Sequence, residues 1–564
     1  MPSAALAASR LFRALAALAC APDRSPPPDR GLAAQDTSAQ PPPLARPGFA
    51  LAEVSDSIRR RVAGTGAERL YGPDGYAPVW VDATGKPSRA AREAITALLV
   101  APDEGLDSAA YAAGALVRRA DALERDEVPS VTAIAAFDAA LSASILRYLT
   151  HLHIGRIDPR AVGFRLEIPA EGHDFTRLVR SSLADGSISR LVRDLHPPLA
   201  LYRRLRDALA RYRELAIRHP AWPPMPAVRA SVKPGQPYAG LPELARRLAA
   251  LGDLEASAAA GTDTTYGEPL VSAVKGFQER HGLAPDGVIG TATIAALNVS
   301  PAYRVRQIAL SLERLRWLPD LGRGRFIVVN IPAFHLWAFD SLGTEGAPSR
   351  DMAVIVGRRA LNTRTPVFVD EMRYLIFRPY WNVPLSIARN EIVPAARKDP
   401  SYLDRNDMEI VQGPGDDARL VAGTAENLEL VASGQLRVRQ RPGPGNALGL
   451  VKFIFPNDAN VYLHGTPATQ LFDRARRDFS HGCVRVENPV GLAEWVLSDV
   501  AGWDRSRIED AMAASESERV HLAAPIPVLL FYTTAIARAD GTVAFYEDLY
   551  GHDGRLLRAL GGGG

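Results

Sequence analysis

The sequence predicts a multidomain α+β protein, and three observations lead to that prediction. The chain has 564 residues, which is too many for a single hydrophobic core. From about residue 50 to residue 225, apolar side chains recur at helical spacing, as at Ile145 and Leu149. From about residue 326, short runs alternate in the way strands do, as in His335-Leu336-Trp337-Ala338-Phe339. Helices and strands are therefore segregated along the chain, as is typical of this class.

The composition is that of an ordinary globular protein and excludes few functions. Hydrophobic residues make up 47% of the chain and charged residues 23%. The net charge is only +3, from 66 basic and 63 acidic residues, so nothing indicates a nucleic-acid partner. His151 and His153 stand close together, but no further ligand motif accompanies them. No phosphate-binding loop or dinucleotide fingerprint occurs either, so we predict no cofactor and no metal.

The N-terminus resembles a targeting segment. Arg10 and Arg13 precede an apolar run, and Ala17-Leu18-Ala19 fits the small-residue cleavage site of a signal peptide. Cys20 makes a lipoprotein signal an alternative, and a membrane tether at the N-terminus remains open. The Pro-rich residues that follow are predicted to be a disordered linker, since they bring too little apolar surface to offset their ordering entropy. We expect export to the periplasm.

The pattern divides the remainder of the chain into helical and strand-rich units. A long segment inside the strand-rich unit is dense in Gly, Asp and Pro and breaks the strand rhythm, which is typical of a lid or binding loop. The predicted units are, in chain order, a signal peptide or lipoprotein signal (1–20), the linker (21–48), a helical scaffold domain (49–227), a second helical unit (228–299), a linker helix (300–322), a strand-rich domain (323–502) with an insert (388–446), and a C-terminal extension (503–564).

One cysteine carries the strongest chemical signal in the sequence. Cys483 follows Ser480-His481-Gly482, and His464 lies upstream of it. The only other cysteine is Cys20, near the N-terminus, so Cys483 has no disulfide partner in the folded body. A thiol among polar residues is poor core material, and a nearby imidazole can activate it. We therefore predict that Cys483 is a nucleophile rather than a buried apolar residue.

These residues resemble the signature of the L,D-transpeptidases, enzymes that cross-link bacterial peptidoglycan. The signature is His464, then Ser480-His481-Gly482-Cys483, then Arg485. Upstream, Asn446-Ala447-Leu448-Gly449 and residues 452–457 are similar to the large Gram-negative members of the family. The resemblance implies a β-sandwich catalytic domain over which the insert 388–446 forms a cap, and a helical scaffold before it.

A second resemblance lies in residues 228–299. The run Val274-Lys275-Gly276-Phe277-Gln278, the turn Pro285-Asp286-Gly287 and the helix that begins at Thr291 are similar to the small three-helix peptidoglycan-binding domain. Phe277 is expected to be a core residue. Two interpretations stay open, namely a domain that binds peptidoglycan and a spacer that has lost this affinity.

The resemblance assigns roles to four residues of the signature region. Cys483 would attack the substrate, and His464 would be its base. In the family a backbone carbonyl near the histidine often orients the imidazole, which here indicates Gly465. The backbone N–H groups of Gly482 and Cys483 are candidates for an oxyanion hole, because glycine permits close approach of the backbone.

The supporting residues have less specific roles. Tyr462 lies on the same strand face as the predicted base, where it either donates to the site or is a core aromatic. Arg485 either binds a carboxylate of the substrate or pairs with Glu487. Ser480 and His481 are predicted to shape the loop by hydrogen bonds, since His481 stands too close to the nucleophile in the chain to be the preferred base.

The family resemblance also implies a reaction. Cys483 would form a thioester with a donor tetrapeptide stem and release D-Ala, and a second stem would then accept the acyl group in a 3–3 cross-link. The implied partners are peptidoglycan stem peptides and glycan, carbapenems would be covalent inhibitors, and the location would be the cell envelope. The alternatives are an L,D-carboxypeptidase or endopeptidase with water as acceptor and a non-catalytic wall-binding scaffold. A papain-like peptidase is disfavoured, because its cysteine precedes its histidine in the chain.

Overall fold

The structure is a computed structural model in which several segments carry their own hydrophobic cores. The predicted export signal, Cys20 and residues 21–47 of the predicted linker lie outside the described residues. The fold class is confirmed, since helical units and a strand-rich domain are distinct within this part of the chain. The described residues are 48–167, 173–228, 230–255, 257, 264–319, 321, 324–341, 348–360, 363–415 and 417–561.

The helical scaffold is built around one long helix, Val131–His153, which begins where the Ser130 hydroxyl accepts a hydrogen bond from Ala133 N–H. This helix is long and apolar enough to cross a membrane, but Phe137 and Leu141 on it are fully buried in the scaffold core. The helices of this region are Leu51–Val62, Glu68–Tyr71, Arg89–Leu99, Ala113–Arg125, Val131–His153, Phe175–Ala184, Ile188–Asp194 and Ala200–Arg218.

A buried carboxylate ties the first residues of the scaffold to its central helix. Asp138 is fully buried and accepts hydrogen bonds from Val79 N–H at 3.1 Å, Trp80 N–H at 2.8 Å and the Tyr71 hydroxyl at 2.7 Å. Burial raises the pKa of this carboxyl to about 6, although its three donors act in the opposite direction. The carboxylate therefore organises a segment that has no regular structure of its own.

We expect Asp138→Ala to destabilise the scaffold strongly. Three donors would lose their acceptor in a dry core, and this should lower the free energy of unfolding by about 3 kcal/mol or more. The measurement is denaturant unfolding, with Asp121→Ala, an exposed aspartate of the same domain, as the control. Equal stability of the two variants would contradict this role for Asp138.

The last scaffold helix, Ala200–Arg218, belongs to a different core from the other scaffold helices. Sequence analysis places it in the scaffold domain, yet its Leu205 and Leu209 are buried with residues from the sheet of the strand-rich domain. It packs against the helix Pro301–Leu315, the predicted linker helix. Scaffold and strand-rich domain are thus joined by a shared hydrophobic core.

Residues 228–299 contain the predicted three-helix unit, with a core of its own. Its helices are Leu241–Leu251, Leu270–Arg280 and Thr291–Leu297. Phe277 is fully buried there, as expected of a core residue, and Ile289 is fully buried in the same core.

The strand-rich domain is formed by one nine-stranded sheet in the order β11-β3-β12-β10-β9-β4-β13-β1-β2. β2 also pairs with β3, so the sheet folds back on itself around the main hydrophobic core. The described strands are β1 (Phe326–Asn330), β2 (His335–Phe339), β3 (Arg350–Gly357), β4 (Phe368–Phe377), β5 (Trp381–Asn382), β6 (Met408–Gln412), β7 (Arg419–Val421), β8 (Arg437–Gln440), β9 (Val451–Ile454), β10 (Leu463–His464), β11 (Asp478–Ser480), β12 (Val484–Val486), β13 (Glu518–Phe531), β14 (Ala535–Ala537) and β15 (Val543–Phe545).

The predicted C-terminal extension, 503–564, is in fact part of this domain. β13 lies in the middle of the sheet, parallel to β1 and antiparallel to β4. The local pattern identifies Val528-Leu529-Leu530-Phe531 as a strand but cannot say which distant strands it joins, and this is why the boundary at 502 differs from the structure. The helices of this extension are Arg505–Ala513 and His552–Ala559, and the helix Pro489–Val496 precedes it.

Residues 381–440, here called the capping lobe, form a separate body within the domain. Its sheet has the order β5-β8-β6-β7, and Ile410, Val431 and Val438 are buried in its own core. β5 and β8 pair at the base of the lobe, so the chain enters and leaves it through neighbouring strands. Its helical segments are Leu385–Ile387, a π-helical turn at Ala388–Ile392, Val393–Lys398, Tyr402–Arg405 and Ala425–Ser433.

Candidate active site

Two short parallel strands bring the predicted site residues together. β10 and β12 are neighbours, with His464 opposite Arg485, and Val484 N–H donates to the Tyr462 carbonyl at 3.1 Å. Opposite residues of parallel strands share a face, and so do residues two apart on one strand. Tyr462, His464, Cys483 and Arg485 therefore lie on one face of the sheet.

The imidazole of His464 is buried and oriented by the backbone. Its Nδ1 lies 2.6 Å from the carbonyl oxygen of Gly465. A carbonyl only accepts, so Nδ1 carries the proton and Nε2 keeps its lone pair. Burial lowers the pKa of His464 to about 3, and the charges of Arg485 and Lys452 act in the same direction. The ring is thus a neutral hydrogen-bond acceptor at physiological pH.

The Cys483 thiol is half-buried, and burial raises its pKa above the ordinary value. Hydrogen bonds with Tyr462 and the charges of Lys452 and Arg485 act against that rise. Among the described residues, the acceptor of the thiol is the Asn460 carbonyl, 3.7 Å from Sγ, and not the His464 ring. Catalytic hydrogen bonds often tighten only when substrate binds. The resting pair is therefore a neutral thiol beside a neutral imidazole.

Tyr462 contacts both the predicted base, His464, and the predicted nucleophile, Cys483. Its ring centroid lies 5.7 Å from that of His464, and Lys452 Nζ lies 3.7 Å from the Tyr462 ring centroid. Burial raises the pKa of the Tyr462 hydroxyl well above its usual value, and the nearby Cys483 sulfur adds to the shift. The hydroxyl therefore stays protonated and can donate to charge that develops at the sulfur or the substrate.

The loop before the nucleophile adopts a conformation that favours glycine. Gly482 has a φ of +125°, and its N–H donates to the Ser480 hydroxyl at 3.1 Å. The Ser480 hydroxyl in turn donates to the Cys483 carbonyl. The expected oxyanion role of the Gly482 N–H is thus corrected, because this N–H already has an acceptor. The Cys483 N–H remains as the backbone donor of this loop.

Two residues that sequence analysis missed hold the loop from behind. The buried Thr365 hydroxyl donates to the Gly482 carbonyl at 2.7 Å and accepts from Gly357 N–H at 2.9 Å. Thr365 N–H donates to the Tyr550 hydroxyl at 3.2 Å, and this hydroxyl donates to the Gly357 carbonyl. No local motif marks these residues, since 117 positions separate Thr365 from Gly482.

Arg485 and His481 face different surroundings. The Nε of Arg485 is buried and has no hydrogen-bond partner among the described residues, and burial and the charge of Arg358 lower the pKa of Arg485. Glu487, the alternative partner considered for Arg485, instead accepts from Ala353 N–H at 3.0 Å. His481 Nε2 lies 2.7 Å from a carboxylate oxygen of Glu391, in the capping lobe. His481 therefore joins the nucleophile loop to the lobe.

Comparison with protein families decides what kind of domain carries this site. Residues 324–517 match the family described as "L,D-transpeptidase catalytic domain". The chain contains an L,D-transpeptidase catalytic domain. Residues 239–297 match "Putative peptidoglycan binding domain" and residues 65–209 match "Scaffold domain". All the predicted site residues lie within the transpeptidase domain. The described residues contain no group of three or more His, Cys, Asp or Glu that could hold a metal ion.

Individual relatives are similar to part of this chain. A protein of Haemophilus influenzae named "Putative L,D-transpeptidase" is 32% identical over 251 residues, which are 44% of this chain and 49% of the relative. The chain thus spans about half the length of this curated relative. An L,D-transpeptidase structure from Xylanimonas cellulosilytica covers 54% of this chain and 100% of its own at 17% identity, with a TM-score of 0.18. A fused Zn-dependent amidase/peptidase/peptidoglycan-binding protein from Clostridium acetobutylicum covers 54% and 99% at 12% identity, with a TM-score of 0.15. Neither structural similarity is high enough to support an argument.

We expect Thr365→Val to slow acylation of the transpeptidase domain about tenfold. Valine has the shape of threonine but leaves the Gly482 carbonyl and the Gly357 N–H without their partner, so the nucleophile loop loses its fixed position. The measurement is the rate at which Cys483 is acylated, with Thr365→Ser as the matched control that keeps the hydroxyl. A Ser variant as slow as the Val variant would show that the methyl group, and not the hydrogen bonds, matters.

Proposed function

We propose that the protein is a peptidoglycan L,D-transpeptidase that forms 3–3 cross-links through a thioester on Cys483. The observation that carries the proposal is the placement of Cys483 and His464 on one face of two adjacent strands, inside a matched L,D-transpeptidase catalytic domain. The neighbouring match to a peptidoglycan-binding family supports peptidoglycan as the substrate.

Acylation would use His464 as the general base. The Sγ proton passes to Nε2 of His464, and the sulfur attacks the carbonyl carbon of the third residue of the donor stem. The Cys483 N–H and the Tyr462 hydroxyl can donate to the oxyanion that forms. When the C–N bond to D-Ala breaks, the imidazolium returns its proton to the leaving amine, and a thioester remains.

The second half reaction would reverse these proton transfers. The side-chain amine of a neighbouring stem attacks the thioester carbonyl and gives a proton to His464. The C–S bond breaks, the new amide bond forms, and Cys483 recovers its proton from the imidazolium. One D-Ala is released for each cross-link made, and no external oxidant or cofactor is needed. Because an acyl-enzyme separates two half reactions, ping-pong kinetics are expected.

The charges around the site suit this chemistry. Lys452 and Arg485 lower the pKa of the thiol, so they stabilise the thiolate as it forms, whereas burial keeps the resting thiol protonated. Arg485 has an unpaired buried Nε and lies near Arg358. Guanidinium groups bind carboxylates through forked hydrogen bonds, and peptidoglycan stems carry several carboxylates.

Water is the competing acceptor, and it would make the enzyme an L,D-carboxypeptidase. The contact between His481 and Glu391 places the capping lobe against the nucleophile loop, where it can exclude water from the thioester. This contact favours transfer to an amine. A non-catalytic wall-binding scaffold is disfavoured, because a thiol and an imidazole lie on one face of adjacent strands, as the proposed chemistry requires. The substrate implies action in the cell envelope, and we propose a periplasmic location.

Mass analysis of muropeptides tests the function. The full chain is incubated with purified tetrapeptide-bearing peptidoglycan, with Cys483→Ala as the control. A 3–3 dimer with equimolar D-Ala supports the proposal, a tripeptide alone supports the carboxypeptidase, and no product supports the scaffold. Intact mass after carbapenem treatment reports separately whether Cys483 is acylated.

We expect removal of the capping lobe to shift the balance from cross-linking to hydrolysis. Val383 N–H donates to the Val438 carbonyl at 3.0 Å, so residues 384–437 can be replaced by a short Gly-Ser turn between two strands that already pair. The ratio of 3–3 dimer to tripeptide should fall several-fold while carbapenem acylation persists.

The control for this experiment is Glu391→Gln, which keeps the lobe but weakens its contact with His481. This variant should lower the ratio less than removal of the lobe does. An unchanged ratio without the lobe would show that the capping lobe is a spacer or docking element, and the argument for transfer over hydrolysis would lose its physical support.

A further inference from the structure

A second concave site lies between the peptidoglycan-binding-like domain and the transpeptidase domain. It is a cleft of about 510 Å³ that none of the catalytic residues lines. Asp286 and Thr291 belong to its wall on the smaller domain, and Phe334, Arg476 and Tyr546 belong to its opposite wall. The cleft thus has the size of an ordinary ligand site and is built by two domains.

The two walls are held rigidly against each other. Arg280, on the smaller domain, is buried, pairs with Asp253 and donates to the Val543 carbonyl of β15 at 3.1 Å. Gly282 lies so close to the Tyr546 ring that a Cβ there would be 3.3 Å from the ring carbon Cδ1. The cleft is therefore preformed, which reduces the ordering cost of binding a ligand.

The lining indicates the chemistry of the ligand. The Tyr546 hydroxyl has no hydrogen-bond partner within the described residues, although its ring is half-buried. The charges of this wall compensate one another, because Arg476 donates to Asp478 at 2.7 Å and to Glu547 at 3.4 Å, and Glu547 also pairs with Arg359 at 3.6 Å. An uncharged ligand with hydroxyl groups and an apolar face fits a wall of aromatic rings and compensated charges. A carboxylate-bearing stem peptide would meet cations that are already paired.

The distance along the chain from the cleft to the nucleophile loop can be compared with the length of a stem peptide. Arg476 leads into β11, whose last residue, Ser480, begins the nucleophile loop. Four residues at ~3.3 Å each span about 13 Å. Three extended residues of a stem span about 10 Å. β11 is the end strand of the sheet order, and within the part of the chain that the structure describes its strand pairing is with β3, which leaves its other edge available along this path.

Charge changes along the same path. At the cleft end Arg476 pairs with Asp478 and Glu547, so these charges compensate one another, whereas the nucleophile end carries Lys452, Arg485 and Arg358. A substrate with an uncharged glycan and an anionic stem fits this charge distribution in only one of its two orientations. The glycan belongs in the cleft and the stem toward Cys483.

We propose that this cleft is the glycan subsite of the enzyme. It binds the N-acetylated disaccharide that carries the donor stem, and the stem runs beside β11 so that its third residue reaches Cys483. The inference rests on the proposed function, because it concerns the same substrate.

Two substrates separate the contribution of the glycan from that of the stem. D-Ala release by the full chain is measured on a disaccharide-tetrapeptide and on the same tetrapeptide without sugar. The wild type should have a kcat/KM about tenfold higher on the sugar-bearing substrate, the scale of a few net hydrogen bonds. Thr291→Trp, which fills the cleft from an exposed position, should reduce this preference to near one. Tyr546→Phe should reduce it about threefold.

Controls distinguish this proposal from the proposed function. Rates on the free tetrapeptide should not change in either variant, and Tyr303→Phe, an exposed tyrosine of the linker helix, should keep the full preference. Binding of stem-free glycan chains, measured by calorimetry, should be lost in Thr291→Trp. Absence of D-Ala release from both substrates would overturn the proposed function. Calorimetry would still show whether the cleft binds glycan. A sugar preference or glycan binding that survives both variants, or a wild type without preference, would overturn the glycan subsite.

Discussion

Replacing Cys483 by alanine should abolish acylation and cross-linking completely while the protein remains folded. The side chain is small and half-buried, and its sulfur makes hydrogen bonds with Tyr462 and a weak one to the Asn460 carbonyl at 3.7 Å, so little packing is lost. The chemistry has no substitute, because the other cysteine of the chain, Cys20, lies in the N-terminal segment. Cys483→Ser should be equally inactive, since a hydroxyl is a far weaker nucleophile at neutral pH.

Intact-protein mass spectrometry checks this result. Wild-type protein exposed to a carbapenem should gain the mass of one drug molecule, and Cys483→Ala should gain none. Equal thermal unfolding of the two proteins shows that the fold is intact. A persistent adduct on the alanine variant would identify another nucleophile and remove the assignment.

Replacing His464 by alanine should lower the acylation rate by roughly two or more orders of magnitude, the scale of a lost general base. The neutral His464 ring has its acceptor nitrogen at Nε2, because Nδ1 lies 2.6 Å from the Gly465 carbonyl oxygen and donates to it. His481→Ala is the matched control, since this histidine contacts Glu391 of the capping lobe and not the base. A larger loss in folded His481→Ala would exchange the two roles.

The pH profile provides a second test of His464. A general base works in its neutral form, which predominates above its pKa, and burial lowers this pKa to about 3. Acylation should therefore persist as the pH falls through 6.5, where an ordinary histidine becomes protonated, and the acid limb should lie near pH 3. Stopped-flow acylation with a carbapenem measures this limb. An acid limb centred near 6.5 would show that His464 is not the base in this form.

The sequence determined which reactive groups the site contains, because reactivity depends on residue type. A thiol, an imidazole and a flexible glycine at fixed spacing predict a nucleophile and its base before any fold is known. Alternation along Tyr462-Leu463-His464 placed the tyrosine and the histidine on one strand face. The three-helix unit could be predicted in the same way, because its apolar positions, such as Phe277 and Ile289, lie within one short stretch of chain.

The catalytic roles of these residues remain proposals. The positions of their atoms depend on contacts between distant parts of the chain, which the sequence alone does not show. Gly482 N–H donates to Ser480, and its carbonyl accepts from Thr365, so the loop is fixed by a residue with no motif of its own. The desolvation that lowers the pKa of His464 and raises that of Cys483 likewise requires the assembled domain.

The sequence by itself determined which residues can react, the sign of their charges and the existence of helical and strand-rich units. These properties follow from side-chain chemistry and from periodicities of two and 3.6 residues, which are local. Only the tertiary structure decided that β13 enters the middle of the sheet, that the capping lobe meets His481, and that two domains enclose a cleft beside β11. Each of these is a pairing of surfaces far apart in the chain, and its free energy depends on shape and burial that no local pattern records.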